Sequence, residues 1–166
     1  MAANQPAVSV TDEYLPLFQD LVERLQAAEW FQDGWAGGSW ANGGRNSGVT
    51  IYRPRWETGN ALHLETWIGN ADVKRGTVVV ALHVETSHEK TGIKRTDFHK
   101  LFLERCGPTV AAWEGYRVHP TYAMEPLRGT FAYTKDGLSA LLQREFERMA
   151  ALAPALDGIV TDLRSS

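Results

Sequence analysis

Two short motifs of the same pattern carry the residues that could do chemistry: His63-Leu-Glu65 and His83-Val-Glu85. Side chains alternate between the two faces of a β-strand, so the histidine and glutamate of each motif share a face. Imidazole nitrogens and carboxylate oxygens bind zinc and other divalent ions, and histidine also exchanges protons near neutral pH. These four residues are the catalytic candidates of the chain, and the two histidines are its candidate metal ligands.

Whether the two motifs meet depends on how their strands pair. If the numbers of paired residues sum to 146, His63 stands opposite His83, with Cβ atoms about 4.5–5.5 Å apart, and Ala81 faces Glu65. Sums of 144 or 148 stagger the histidines, and a connection of uncertain length does not fix the register. Three interpretations stay open: a metal or catalytic site, a partner or dimer interface, and the solvated face of a one-sided sheet.

A glycine-rich segment runs from Gly34 to Gly48, with six glycines in fifteen residues, and we predict a loop. Aromatic rings on a polar loop can stack on sugars, bases or a partner's side chains. In the alternative interpretation the tryptophans fill the core and the glycines form a slack connector. The candidate binding residues in this segment are Trp35, Trp40, Asn42 and Arg45.

The net charge of −3 hides a basic segment. Residues 74–105 carry seven basic residues against four acidic ones, and such a segment can meet a phosphate backbone or an acidic partner. The alternative is a solvated face that offsets the acidic first helix. The candidate binding residues here are Lys74, Arg75, Lys94 and Arg95.

A third motif, Asp72-Val73-Lys74, has the acid-x-Lys form found in metal-dependent nucleases, with Glu65 upstream. The triplet falls in a predicted hairpin turn rather than on a buried central strand. Short triplets of this kind also arise readily by chance, so the motif alone does not predict a nuclease.

Composition and missing motifs exclude several classes of protein. A single cysteine, Cys106, rules out an intramolecular disulfide and a cysteine-only zinc site. The chain has no Walker-A loop, dinucleotide-binding fingerprint, nucleophile elbow or H-E-x-x-H motif. No signal peptide is readable, and no apolar run approaches the roughly 18 residues of a membrane span. We therefore expect a cytoplasmic protein that makes no use of a membrane and needs no cofactor.

The hydrophobic periodicity predicts the element order αβββαββα. We expect a flexible N-terminus over residues 1–10 and a single α+β domain over 11–164, in which helices cover mainly one face of an antiparallel sheet of about five strands. The predicted helices span residues 12–28, 97–106 and from 136 until Pro154 ends or kinks the last one, with another turn or two over 156–163. The predicted strands span residues 49–53, 61–68, 77–85, 110–118 and 127–133.

The uncovered face of this sheet would present Trp67, Val79 and Ala81, and an exposed apolar patch often marks an interface. A two-fold dimer is the commonest oligomer, so we predict a homodimer.

The favoured functional hypothesis is a non-catalytic, bacterial-type interaction domain. It would bind another macromolecule, most simply a protein, through the glycine-rich aromatic segment or the outer sheet face. A metal-assisted hydrolase or nuclease that uses the histidines and glutamates is the first alternative. A nucleic-acid-binding module that uses the basic segment is the second.

Overall fold

The computed structural model describes residues 9–56, 61–85 and 91–166. Its six strands form one antiparallel sheet in the order β1-β2-β3-β4-β6-β5, with helices beside it. The predicted α+β fold is therefore confirmed, with one strand more than the expected number. The strands are β1 Ala36–Asn42, β2 Asn46–Tyr52, β3 Leu62–Gly69, β4 Thr77–Val84, β5 Tyr116–Val118 and β6 Leu127–Ala132.

Two of the helices begin earlier than predicted. Ser9, not Thr11 or Asp12, caps the first helix, because its Oγ accepts a hydrogen bond from the backbone N–H of Asp12 at 3.1 Å. Pro16 consequently lies inside that helix instead of in its first turn. The helices are α1 Val10–Ala27, α2 Asn70–Arg75, α3 Arg95–Arg105, α4 Gly107–Val110, α5 Leu138–Ala150 and α6 Ala153–Ser165, with a 3-10 helix over Glu29–Gln32.

The glycine-rich segment is not a loop, and that prediction was wrong. It forms β1, a tight turn and the start of β2, with Gly43 and Gly44 at positive φ in the turn. At Gly48 a Cβ atom would lie 2.2 Å from the carbonyl oxygen of Thr66 and 2.7 Å from the Trp40 ring. Glycine is required there by close packing between strands, which has the same composition signature as a flexible connector.

The segments around the last two strands also differ from the prediction. The strand expected over 110–118 shrinks to Tyr116–Val118, because Val110 ends α4 and Gly115 turns the chain with a positive φ. Pro154 does not end a helix; it lies in the first turn of α6, where proline is tolerated, and α6 continues for 13 residues. Between β3 and β4 the expected turn contains the short helix α2.

One face of the sheet packs into the core, as the alternation along β3 and β4 predicts. Leu62, Leu64, Val80 and Leu82 are all at most 1% exposed. Helix α1 packs on β1 and β2, and α5 packs on β3 and β4. Phe98, Phe102 and Leu156 join the same apolar cluster from the remaining helices.

The opposite face, called here the open face, carries His63, Glu65 and Trp67 on β3 and alternate residues of the other strands. It does not present the exposed apolar patch that we expected, since Val79 and Ala81 are 2% and 0% exposed. Arg128 lies opposite Ala81 in the register of β4 and β6, and its guanidinium stands 5.5 Å from the centre of the Trp67 ring. The long side chains of Trp67 and Arg128 therefore cover the two small residues, which removes the premise of the homodimer prediction.

Within the described ranges, none of the helices combines the length and the hydropathy that crossing a bilayer requires.

Candidate metal centre

Antiparallel pairing of β3 with β4 brings the two His-x-Glu motifs together. His63 pairs with His83, and Glu65 pairs with Ala81, so the register sums to 146. This is the one register of the three considered that places the histidines directly opposite each other. The side chains of His63, Glu65, His83 and Glu85 form what we call the His–Glu cluster.

The four side chains converge on a small volume. His83 Nδ1 lies 3.0 Å from His63 Nε2, with the two rings nearly perpendicular. Glu65 Oε2 lies 3.4 Å from His83 Nδ1 and 3.7 Å from His63 Nε2. Glu85 Oε1 lies 3.7 Å from His83 Nδ1, and the ligand atoms of His63, His83 and Glu85 all lie within 4.8 Å of one another. Each glutamate therefore brings a carboxylate oxygen within 4 Å of a ring nitrogen of His83.

Hydrogen bonds across three strands fix the orientation of Glu65. Trp40 Nε1 on β1 donates to Thr50 Oγ1 on β2 at 3.1 Å, and the Thr50 hydroxyl donates to Glu65 Oε1 on β3 at 3.3 Å. One carboxylate oxygen is thereby occupied, and the other is directed toward the histidines. Supporting contacts of this kind are typical of residues that ligate metals.

The cluster is partly buried, and Glu65 and His83 shift each other's pKa. Burial by itself would raise the pKa of Glu65, but the hydrogen bonds and charges of His63 and His83 outweigh burial and bring that pKa to about 2. For His83, burial would lower the pKa, and the hydrogen bond and charge of Glu65, helped by Glu85 and Glu125, raise it instead. The carboxylate of Glu65 is therefore ionised at neutral pH.

A cavity of about 390 Å³ opens above the cluster. The side chains of His63, His83 and Glu65 are at most 17% exposed, whereas that of Glu85 is 42% exposed at the rim. The remaining lining residues are Trp40, Asn42, Thr50, Tyr52 and Leu62. The three least exposed groups thus form the floor of a site that a small molecule can reach.

The spacing of the ligand atoms suits a divalent transition metal ion. Around a tetrahedral zinc ion with bonds of about 2.0–2.1 Å, ligand atoms stand roughly 3.3 Å apart. The separations of 3.0, 3.4 and 3.7 Å among His63, His83 and Glu65 lie on either side of that value. Two histidines and one carboxylate leave a coordination position for water, as in catalytic zinc sites.

The other aromatic candidates lie in different surroundings. Trp40 and Asn42 line the cavity, but Trp35 packs edge to face on Trp30 and Trp56 beside the core, with ring centres 5.6 and 5.1 Å apart. Arg45 is exposed in the turn between β1 and β2. The segment therefore divides between core packing and the candidate site.

The basic candidates lie on two elements with different neighbours. Lys74 and Arg75 belong to α2, which packs on β3 and β4. Lys94 caps α3 and Arg95 begins it, and α3 packs on α4 and α6. The basic candidates are therefore divided between two helices that pack on different elements.

Asp72 of the acid-x-Lys triplet has local structural partners. Its Oδ2 accepts a hydrogen bond from the backbone N–H of Gly69 at 2.9 Å, and its Oδ1 accepts one from Arg75 at 2.8 Å. The side chain is thereby engaged in capping α2 and is not a member of the His–Glu cluster.

Thr50 contacts the His–Glu cluster, although the sequence did not predict it as a site residue. The predicted strand over 49–53 already put Thr50 on the face opposite Val49 and Ile51, but nothing in the sequence pairs this strand with the His-x-Glu motifs. The pairing Thr50↔Glu65 between β2 and β3 supplies that link.

Comparison of the chain with protein-family models, with curated proteins and with solved structures found no match.

Proposed function

We propose that this protein binds a divalent transition metal ion, with zinc as the best fit, and uses it to hydrolyse an ester or amide bond. The observation that supports the proposal is the convergence of His63 Nε2, His83 Nδ1 and Glu65 Oε2 at 3.0–3.7 Å from one another on the floor of a cavity. Nitrogen and oxygen ligands in this number bind zinc and leave one position open.

Glu65 is assigned as the carboxylate ligand and Glu85 as the general base. Thr50 holds Glu65 in place, whereas Glu85 is more exposed and lies at the rim, where substrate and water enter. A bound divalent ion lowers the pKa of a coordinated water molecule and polarises the bond to be cleaved.

The hydrolytic step balances with water as the only co-reactant. The water gives a proton to Glu85, and its oxygen forms a bond to the electrophilic carbon or phosphorus. The bond to the leaving group then breaks, and the leaving group takes the proton back from Glu85.

Titration with zinc tests the metal site. After treatment with a chelator, calorimetry of the purified chain is expected to show about one equivalent bound, and the double variant H63A/H83A is expected to bind none. H119Q is the matched control, because the exposed His119 side chain lies outside the His–Glu cluster and, within the described residues, forms hydrogen bonds only with Thr121. Equal zinc binding by the double variant and the wild type would overturn the proposal.

Two single variants test the assignment of roles. E65Q is expected to weaken zinc binding at least tenfold, since supporting and ligating groups together set metal affinity. E85Q is expected to retain zinc within about threefold but to lose hydrolysis of a chromogenic ester. A reversal of the two effects would exchange the roles of the glutamates.

The interaction domain favoured by the sequence stays a prediction. One of its two proposed surfaces, the flexible aromatic loop, is replaced by the β1–β2 hairpin. Its other surface, the open face, is the one that carries the His–Glu cluster.

A further inference from the structure

A second cavity, of about 710 Å³, opens on the open face beside β6 and β5. Two arginines, Arg117 and Arg128, line it and lie opposite each other in the register of the two strands. We call it the arginine cavity. The connection between β5 and β6 contributes the acidic Glu125 and the apolar surface of Ala123 and Met124.

The two guanidinium groups have unused hydrogen-bonding capacity. Arg128 donates from Nη1 to Glu125 at 2.9 Å and stacks over Trp67, which leaves most of its five N–H donors free. Arg117 is exposed, and its side chain has no hydrogen bond or ion pair within the described part of the chain. Arginine binds phosphate and carboxylate groups with paired N–H donors, so two adjacent arginines suit an oxyanion.

The arginine cavity is next to the His–Glu cluster. The pairings Glu65↔Ala81, Ala81↔Arg128 and Arg128↔Arg117 place these four residues in one row across β3, β4, β6 and β5. With adjacent strands about 4.8 Å apart, Arg128 stands roughly 10 Å from Glu65 across the sheet. Ala81, the residue between them, is fully buried, so the surface between the two cavities is formed by the longer side chains around it.

Glu125 contributes to both regions. It pairs with Arg128, and its negative charge also acts on His83. A substrate that bridges the two regions would therefore meet the proposed metal ion at one end and, at the other, two arginines, of which Arg128 is paired with Glu125.

We infer that the substrate carries an oxyanion, a phosphate or a carboxylate, which Arg117 and Arg128 bind while the bond to be cleaved lies at the His–Glu cluster. The inference rests on the proposed hydrolytic function and names its substrate class. Met124, which is 40% exposed, adds contact for an apolar group next to the oxyanion.

Calorimetric titration of the zinc-loaded protein with phenylphosphonate and with benzoate tests the inference. Both probes join an oxyanion to an apolar ring, and the tighter one identifies phosphate or carboxylate as the preferred group. The variant R117Q/R128Q is expected to bind the preferred probe at least tenfold more weakly than the wild type. R45Q, which changes an exposed arginine in the β1–β2 turn, is the matched control.

R117Q alone keeps the test decisive if the double variant is unstable, because the Arg117 side chain has no described contact to lose. Unchanged probe affinity in R117Q and in a folded R117Q/R128Q would overturn the inference.

Metal content measured on the same samples separates this inference from the proposed function. Full zinc occupancy with arginine-independent probe binding contradicts the substrate class alone. If the wild type binds no zinc, the proposed function fails, and titration of the metal-free chain with the same probes still decides whether the arginines bind an oxyanion.

Discussion

The two faces of the sheet use the same strands for opposite purposes. On the core face of β3 and β4, Leu64 and Leu82 are fully buried beneath the helices. One residue further along each strand, Glu65 and His83 belong to the His–Glu cluster on the open face. A substitution on the core face removes apolar contacts, whereas one on the open face removes a proposed metal ligand.

Because of this alternation, neighbouring residues of one strand contribute to different properties: one to the stability of the fold and the next to the candidate site. Burial of an apolar side chain contributes roughly 25 cal/mol per Å² to folding, whereas partly exposed polar groups contribute little. Substitution of adjacent residues in one strand is therefore expected to affect stability at one position and binding at the next.

The largest effect is expected on the core face. Leu64→Ala removes a fully buried side chain and leaves a cavity, which costs about 2–5 kcal/mol. Urea denaturation followed by tryptophan fluorescence measures the loss. The open-face variant E85Q, whose side chain is 42% exposed, serves as the comparison and should lose less than half as much. Equal losses would mean that the two faces do not differ in this way.

A smaller loss of stability is expected at Gly48 in the β1–β2 hairpin, which lies opposite Trp40 and Trp67. In Gly48→Ala the added Cβ atom would lie 2.2 Å from the Thr66 carbonyl oxygen, so backbone must shift at a cost of about 1–3 kcal/mol. Gly38→Ala is the control, since nothing lies within 4 Å of its added Cβ. Thermal melts of the two variants should differ by several degrees, and identical melting temperatures would contradict the close packing at Gly48.

On the open face a substitution should alter metal affinity more than stability. Thr50→Val removes the hydroxyl that orients Glu65 while keeping the side chain's shape, and it is expected to weaken zinc binding about 10–100-fold. Stability should change by less than about 1 kcal/mol. Thr130→Val changes another threonine of the open face outside the cluster and should bind zinc normally; equal affinities of the two variants would show that Thr50 has no positioning role.

The smallest effect is expected at Cys106, which lies in the core. Burial raises the pKa of its thiol to about 11, although Arg105 acts in the opposite direction. Because the thiolate is the reactive form, a thiol reagent at pH 8 is expected to modify the native chain far more slowly than the urea-unfolded chain. Comparable rates in the two states would place Cys106 outside the core.

Much of the fold could be predicted from local patterns. The alternation along residues 61–68 and 77–85 gave the two central strands and their buried faces, since period two has a direct structural meaning. The prediction failed at Gly34–Gly48, because glycine density arises both in flexible loops and in strands that pack too closely for a Cβ atom. It also failed at Pro154, where a proline suits a helix start as well as a helix end.

The candidate site was predictable in part. The spacing of each His-x-Glu motif predicted that its two side chains share a face. The arginine cavity could not be predicted in this way, because it depends on the pairing of β6 with both β4 and β5. Arg117 and Arg128 carry no motif, and they become neighbours only because β5 and β6 pair.

The sequence by itself therefore determined which side chains of one strand lie on the same face, because the alternation of faces follows from backbone geometry alone. Only the tertiary structure decided that His63 faces His83 and that Thr50 reaches Glu65. A shift of one residue between strands would reverse every face, so burying Leu62, Leu64, Val80 and Leu82 under the helices excludes such a shift. The pairing of Leu64 with Leu82 distinguishes the sum of 146 from 144 and 148, which would keep the same faces. The chemistry of the open face is thus positioned by the packing of the other face.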